Sequence, residues 1–547
     1  MSLTEVPEVA AVRTALREGA QLSEQWSKPE AHQILKRLIP KGHLLEAKQI
    51  VQGFDMLGDL RLKTLLKLYR HARRTGYVGY STDIAAEVAQ RTGEDADLYR
   101  ASKTQSDLAF LRNPWSQLPE LPGGDYRDAA GPVLHIVAKS YPETTTGYAV
   151  RTKHTAEALA ERGIGSVLAV PSGGNVGVEV EQTLEREENG IRTVLLGGPA
   201  LKNTTRFEWL ERNTDALHRL VTRMRPRAIH AHSDYVNGVL ASHVGEATGV
   251  PVVYEVRGFW EETWLAGLET AQEWENPDEA LRLYGTPDAY RFRRENERKV
   301  RERADHVITL ARTMRDHITA ESNAAQLSEA DVTVVPNAVV PEDFPMPSGV
   351  SPARATHGID PTDITIGYIS SITEYEGIET LLDAFGLLKS RPSALRVHLL
   401  IVGDGPTLEK LQEYAAQLGL QQVTFTGRIP HEEITDYYHA IDIFVVPRRR
   451  TRVTELVTPL KPFEALATGR TLVLSDLPAL REIAADAGDR ARTFIPGDAH
   501  DLARTLAEAT ESSDGSVRPD EASAAWVRRH RTWERNGTLC ARVYQSL

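Results

Sequence analysis

The stretch Thr365–Pro406, TIGYISSITEYEGIETLLDAFGLLKSRPSALRVHLLIVGDGP, changes its period twice. TIGYIS reads as a short β-strand. From Ile378 the apolar residues Ile378, Leu381, Leu382, Phe385 and Leu388 recur three and four apart, which places them on one stripe of a helix. RVHLLIV then returns to an unbroken apolar run, as expected of a strand covered on both faces. Gly403-Asp404-Gly405-Pro406 ends that run with a tight turn and a proline suited to the first turn of another helix. Strand, helix and strand in this order predict a parallel sheet with helices on both sides.

The same alternation continues outward. Toward the carboxyl end it runs through a helix Leu408 to Leu418, then VTFTG, IDIFVVP and TLVLSD. Toward the amino end a separate series begins at Val133 with VLHIVA, SVLAV, TVLLGG, AIHAHS and VVYEVRG. The proline-rich VVPEDFPMPSGVSP, Val339 to Pro352, divides the two series as a hinge. Upstream, residues 1–112 carry helical spacing and almost no strand-like runs, and NPWSQLPELPGG from Asn113 to Gly124 is a linker. The tail AAWVRRHRTWERNGTLCARVYQSL is helical. The expected class is α/β: two Rossmann-like doubly wound domains facing across a cleft, with an N-terminal α-helical extension. The expected units are 1–124, 125–345, 346–520 and a terminal helix 521–547 that packs back toward the first α/β domain. No repeat of 20 to 50 residues is visible.

Composition narrows the function classes. The 547 residues, 41% hydrophobic, are enough for several cores. A net charge of −12 argues against general nucleic-acid binding, which needs a basic field. The single cysteine, Cys540, permits neither an internal disulfide nor a thiolate cluster, so it reads as structural in a reducing compartment. The polar start lacks the apolar core of a secretory leader, and no window approaches a membrane span. The expected location is cytoplasmic, or peripheral at the inner face of a membrane.

Ligands of open parallel sheets sit beyond the carboxyl ends of the strands. GDGP at 403–406 occupies such an edge and serves either a nucleotide or an ordinary turn. ELVTPLKPFEALATG, Glu455 to Gly469, follows IDIFVVP and sets Lys461 and Glu464 at a helix start. There the amides and Lys461 could receive a diphosphate and Glu464 ribose hydroxyls, or Glu464 simply complements the helix dipole.

Read together, HAHS at 230–233, VGDGP, TGRIP and TPLKPFEALATG resemble the retaining glycosyltransferases of the GT4 family. The resemblance covers about residues 131–547, in the family's order of elements. It implies the GT-B fold and transfer of a hexose or hexosamine from a nucleotide diphosphate sugar, a UDP-sugar by expectation, to a hydroxyl acceptor. It further implies retention of configuration, no cofactor and no metal. Carried over residue by residue, it puts Gly403 and Asp404 near the donor nucleotide and Arg428 and Ile429 at the base. It puts Glu464 on the ribose, and Leu460 and Lys461 on the diphosphate. Gly147 in TTGYAVRT matches the family's loop after the first strand, and His232 its HAHS block. Arg257 in YEVRGFWEE stands where many relatives carry histidine. His232, Arg257, Glu455 and Lys461 are the candidate catalytic residues.

The chain also departs from the family. Glu455 and Glu464 enclose eight residues where relatives have seven between the two glutamates, which unsettles Glu455 as a sugar ligand. SSITEYEGIE places Glu376 near the usual lysine, so phosphate charge would have to come from Lys461 or from RRRTR at 448–452. Each candidate has a plainer reading: Gly147 a turn, His232 an uninvolved histidine, Arg257 a partner of Glu255, Glu261 or Glu262, and RRRTR a solvated loop. The arginines from Arg206 to Arg225 suit an anionic surface, but interleaved Glu208, Glu211 and Asp215 favour an ordinary solvated helix. EDAD at 94–97 lies away from any strand edge and is not read as a metal site. The expected partners are the nucleotide sugar and a glycan or lipid-linked acceptor in cell-envelope synthesis, with no nucleic acid; the helical extension would serve oligomerisation, acceptor docking or partner binding. The rival functions are a non-hydrolysing nucleotide-sugar epimerase and a catalytically degenerate scaffold.

Overall fold

A computed structural model describes residues 7–144, 146–174, 180–274, 276–323, 325–391, 396–511 and 519–547. The first sheet contains β1 (Gly131–Ile136), β2 (Ser166–Val170), β3 (Leu184–Glu188), β4 (Ile191–Leu195), β5 (Pro226–His232), β6 (Val252–Val256), β7 (His306–Thr309) and β8 (Val332–Val334), in the order β3-β4-β2-β1-β5-β6-β7-β8. The second contains β9 (Ile364–Ile369), β10 (Val397–Val402), β11 (Val423–Phe425), β12 (Ile443–Val446), β13 (Thr471–Ser475) and β14 (Ala491–Phe494), in the order β11-β10-β9-β12-β13-β14. All pairings are parallel except β3 with β4. The chain thus adopts the two doubly wound sheets that the alternating periods predict.

The opening stretch shows why. All six residues of β9 and of β10 are buried, and the stripe Ile378, Leu381, Leu382, Phe385 and Leu388 packs into the same core from the helix Ile378–Lys389. A run apolar on both sides can be satisfied only between two helical layers. The sequence reading missed β3, because LEREE is exposed and charged. The signal was the Asn189-Gly190 pair, whose positive φ angles of 51° and 75° suit a tight hairpin turn.

β1 lies between β2 and β5, and β9 between β10 and β12. At each of these points the sheet reverses its winding, so a crevice opens beyond the strand ends. These two crevices position the candidate site.

The amino-terminal helices from Pro7–Arg17 to Val78–Thr92 form a core around Leu38, Ile50, Met56, Leu65, Leu68 and Ile84, while Asp95–Arg112 sends Phe110 into the core of the first sheet. The helix Pro277–Tyr284, which belongs to the first α/β series in sequence, contributes Ala280 and Tyr284 to that core. Lys48 Nζ donates to the Tyr284 carbonyl at 2.8 Å, Tyr77 donates to the Gly285 carbonyl at 2.9 Å, and the Gly79 amide donates to Asp288 at 2.8 Å. Local periodicity shows that residues 277–284 are helical, but not whose core they complete.

The tail forms two helices, Glu521–His530 and Trp533–Ser546. Between them the Arg531 carbonyl accepts from the Val339 amide at 2.9 Å, so the two crossings between the α/β halves lie side by side. The last helix lies on Gly147–Ala160 and buries Cys540 with Val133, Leu159, Ala228 and Ile308. Burial there pushes the Cys540 thiol up to about 12, which fits a packing role. Among the described residues, no helix is long and apolar enough to cross a membrane.

Candidate functional site

A cavity of about 270 Å³ opens at the first switch point. Its walls come from Val137–Lys139 after β1, His232–Asp234 at the end of β5, Arg257 after β6, Thr146, and Tyr148 and Thr152 of the helix Gly147–Ala160 that follows β1. Trp260 lies over it, stacked on Tyr148 with ring centroids 5.0 Å apart.

Beneath the cavity Glu255 is buried between two guanidiniums. Arg151 donates to Oε1 from Nε and Nη2 at 2.9 and 2.8 Å, and Arg257 donates from Nε to Oε2 at 2.7 Å. Burial opposes the Glu255 charge, but Arg257 and Arg151 outweigh it and hold the carboxyl well below its usual range. Arg257 Nη1 also donates to the Tyr148 carbonyl and to Thr152 Oγ1, both at 2.8 Å. Of the three glutamates suggested by sequence, Glu255 is the one that holds Arg257. Its guanidinium borders the cavity but is already oriented by the protein.

His232 has a comparable commitment. Thr152 Oγ1 donates to the Tyr148 carbonyl at 3.0 Å, so toward His232 Nδ1, 3.4 Å away, it accepts. Glu255 Oε2 faces the same nitrogen at 3.4 Å, which places the proton on Nδ1. Burial first, and then Arg257, holds the ring neutral, so Nε2 accepts from His135 Nδ1 at 3.0 Å. His135 Nε2 in turn accepts from Ser166 at 3.3 Å, and His230 Nδ1 shares a hydrogen bond with the Tyr544 hydroxyl at 2.7 Å. Both His232 nitrogens are therefore consumed inside the protein. His135, His230 and His232 form the one group of metal-ligand type among the described residues. Of their nitrogens only His230 Nε2 lacks a hydrogen-bond partner, and with two guanidiniums against one carboxylate beside them the surroundings do not favour a cation.

Two further features border the cavity. Asp234, absent from the candidates drawn from sequence, lines it and caps the helix Tyr235–Thr248 by accepting the Val236 amide at 3.2 Å. Burial pushes its carboxyl upward. Its signal was its place directly after HAHS, at the strand edge. Gly147 is the first residue of Gly147–Ala160, its φ is not positive, and nothing lies within 4 Å of where a Cβ would sit. No turn requires glycine there; the position is open space. Thr145 of the same loop lies outside the described residues.

The second switch point gathers the remaining candidates. Gly403 has φ +133°, and a side chain there would run into the Ser370 carbonyl. Its amide donates to the Gly427 carbonyl at 3.0 Å, which brings Asp404 beside Arg428, 3.9 Å apart. Arg428 is exposed, and Ile429 packs partly on the core. Gly403→Ala is expected to cost about 2 kcal/mol, from overpacking plus the left-handed backbone, read as a lower denaturation midpoint with unchanged slope.

Leu460 precedes the helix Lys461–Ala467 without a side-chain cap. Glu464 is 5% exposed; it accepts the Tyr438 hydroxyl, and Lys461 Nζ donates to it at 3.2 Å. Glu455 instead pairs with Arg450. The RRRTR loop is not a free cationic cluster. Arg448 is half-buried and clasped by Glu376 at 3.0 and 3.1 Å, while Arg449 faces Glu374 and Glu379. Arg452 reaches across the cleft to Glu262 at 3.2 Å. Arg448 is thus committed to Glu376, the residue that stands where the family resemblance implies a lysine. Arg449 and Arg450 hold half-exposed pairs worth about 0–1 kcal/mol, which an incoming anion can exchange, whereas the Glu262 partner of Arg452 is buried.

The two halves of this arrangement match known families. A model described as "Glycosyl transferase 4-like domain" matches residues 146–338, and one described as "Glycosyl transferases group 1" matches residues 351–528. The chain is 28% identical over 248 residues to the lipopolysaccharide core biosynthesis mannosyltransferase LpsB of Rhizobium meliloti, covering 44% of this chain and 67% of that one. It is 34% identical over 158 residues to the alpha-monoglucosyldiacylglycerol synthase of Streptococcus pneumoniae, covering 28% of this chain and 33% of the relative. Sucrose-phosphate synthase from Thermosynechococcus elongatus shares the fold with a TM-score of 0.58 at 19% identity, over 76% of this chain and 98% of the other. Anabaena HepE, solved in complex with UDP and glucose, does so with a TM-score of 0.55 at 15% identity, over 76% and 100%. The matches of the two family models together take up more than half of the sequence and meet at the cleft between the two switch points: the chain belongs to the GT4 family of glycosyltransferases and has the GT-B fold.

Proposed function

We propose that the chain transfers a hexose or hexosamine from a UDP-sugar to a hydroxyl acceptor, with retention of configuration and without a metal ion. The donor lies on the second sheet's edge. There Gly403, Asp404, Arg428 and Ile429 surround the base, Glu464 holds the ribose, and Leu460 and Lys461 meet the diphosphate. The open helix start at Gly147 leaves room for the phosphates from the opposite side. The acceptor enters the cavity bordered by Asp234 and Trp260, where His232 and Arg257 act as positioning residues, and Glu455 is released from Arg450 to meet the sugar. The departing diphosphate takes the acceptor proton on the same face, so the protein groups orient substrates and stabilise charge. The observation that carries this reading is Glu464, buried between Tyr438 and Lys461 at a strand-end helix start on the same edge as the Gly403 turn. The names of the relatives favour cell-envelope glycan or glycolipid assembly at the cytoplasmic side.

Thermal unfolding with UDP-, GDP- and ADP-sugars tests it, because a ligand that binds only the folded state at about 100 times Kd adds about 2.7 kcal/mol. Stabilisation by UDP-sugars, with sugar transfer on adding an acceptor, is the expected result. Interconversion of the sugar without an acceptor would identify an epimerase instead. A scaffold reading draws on the fully paired RRRTR loop; donor binding without any product would favour it.

A further inference from the structure

Residues 28–74 carry eleven lysines and arginines against four carboxylates, a local charge of +7 in a chain of −12. The structure gathers part of this charge on one surface. On the helix Leu62–Arg74, Leu65, Leu68 and Ala72 face the core, while Lys63, Lys67, Arg70 and Arg74, spaced four, three and four apart, form the opposite stripe. At 1.5 Å per residue the stripe is about 17 Å long. Lys67 Nζ reaches the Ile39 carbonyl, which brings the end of the helix Lys28–Lys41, with exposed Lys36 and Lys41, alongside. Among the described residues, Lys36, Lys41, Lys63, Arg70 and Arg74 have no ion-pair partner, whereas Lys28, Arg37 and Arg73 are taken up by Asp59, Glu8 and Asp107. The helix Arg206–Met224, basic in sequence, differs: Arg206, Arg219 and Arg223 are matched by Asp107, Asp215 and Glu185.

We propose that this unpaired basic face of the helical extension docks the protein on an anionic lipid bilayer. The face is a row on the outer side of a helix rather than a cleft, which suits a plane of headgroups. Its exposed large apolar residue is Leu62, with no exposed aromatic ring in the segment to stack a nucleic-acid base. Clusters of four to eight basic residues on an amphipathic helix gain about 1 kcal/mol each near anionic lipid. The remaining −19 would repel a long polyanion wrapping the molecule, but a bilayer meets one side only. The stripe also ends where docking would serve chemistry. His71 and Arg74 line a groove of about 450 Å³ against Thr263, Trp264 and Leu268 of the helix Trp260–Ala271, whose first residue borders the cavity. The binding itself does not depend on the proposed reaction.

Flotation of the full chain with phosphatidylcholine vesicles, with and without about 30 mol% phosphatidylglycerol, tests the proposal. Binding is expected only to the anionic vesicles and should be released at about 0.5 M salt, where the Debye length is about 4 Å. K63A/R70A/R74A should bind about a hundredfold more weakly, K63R/R70K/R74K like the wild type, and R219A/R223A also like the wild type. Since these side chains are exposed, the variants should unfold at the wild-type temperature. Equal binding to neutral vesicles, or unchanged binding by the triple alanine variant, would overturn the proposal. So would retention of a single-stranded oligonucleotide with no vesicle binding. Nucleotide-sugar binding, measured without lipid, reports separately on the proposed reaction.

Discussion

Glu464→Gln is expected to lower kcat/KM for the nucleotide sugar about a hundredfold. Two charge-assisted hydrogen bonds to ribose hydroxyls, at about 1.5 kcal/mol each, supply that factor. Glutamine is the informative replacement because its carbonyl can still accept the Tyr438 hydroxyl, so the buried donor keeps a partner and the fold is spared. Alanine would strand that hydroxyl and mix about 1–3 kcal/mol of destabilisation into the result. The measurement is steady-state transfer kinetics, paired with the nucleotide-induced stabilisation of the same variant. A variant with wild-type kinetics would remove Glu464 from the donor site and return it to the role of complementing the helix dipole.

The largest stability effect should follow Glu255→Gln. Its charge lies between Arg151 and Arg257, all three side chains being at most 5% exposed. Removing one member of a buried ionic group leaves the others uncompensated, at a cost of about 3–5 kcal/mol. Denaturant unfolding at neutral pH reads this directly. The pH dependence supplies a second reading. Because the two guanidiniums depress the folded pKa of Glu255, its contribution is complete above the ordinary carboxylate range. It is lost as pH falls through that range toward the depressed value. The wild type should therefore lose stability on acidification more steeply than Glu255→Gln, and the two curves should converge at low pH. Curves that run parallel would show that Glu255 is not charged in the folded protein. Activity should fall with the same substitution, since Glu255 also orients Arg257 and faces His232 Nδ1 beneath the cavity.

The candidate site was legible in unequal parts. Gly403 could be found because a turn closing against a neighbouring backbone leaves a glycine in the sequence, and the Gly427 contact then fixes where Arg428 and Ile429 lie. Glu464 and Lys461 could be found because a helix start after a buried strand puts them at the sheet edge. The state of the charged residues could not be read in this way. RRRTR reads as a cluster of available cations, yet the loop and helix carrying Glu374, Glu376 and Glu379 lie against it. Asp234 passed unnoticed because an aspartate before a helix is also what a cap requires.

By itself the sequence determined the elements and their layering: where the hydrophobic period changes from two to three and four, where turns break it, and therefore two covered parallel sheets with functional edges. Those properties depend on neighbours within one turn or one strand, and a linear pattern records them. Only the tertiary structure decided which charges meet. Arg151 finds Glu255 across 104 positions and Arg448 finds Glu376 across 72, while the helix Pro277–Tyr284 completes a core built from residues far upstream. The physical reason is that burial and Coulomb energy are set by distance in space. That distance follows from the order in which strands are laid into a sheet, which periodicity along the chain does not encode.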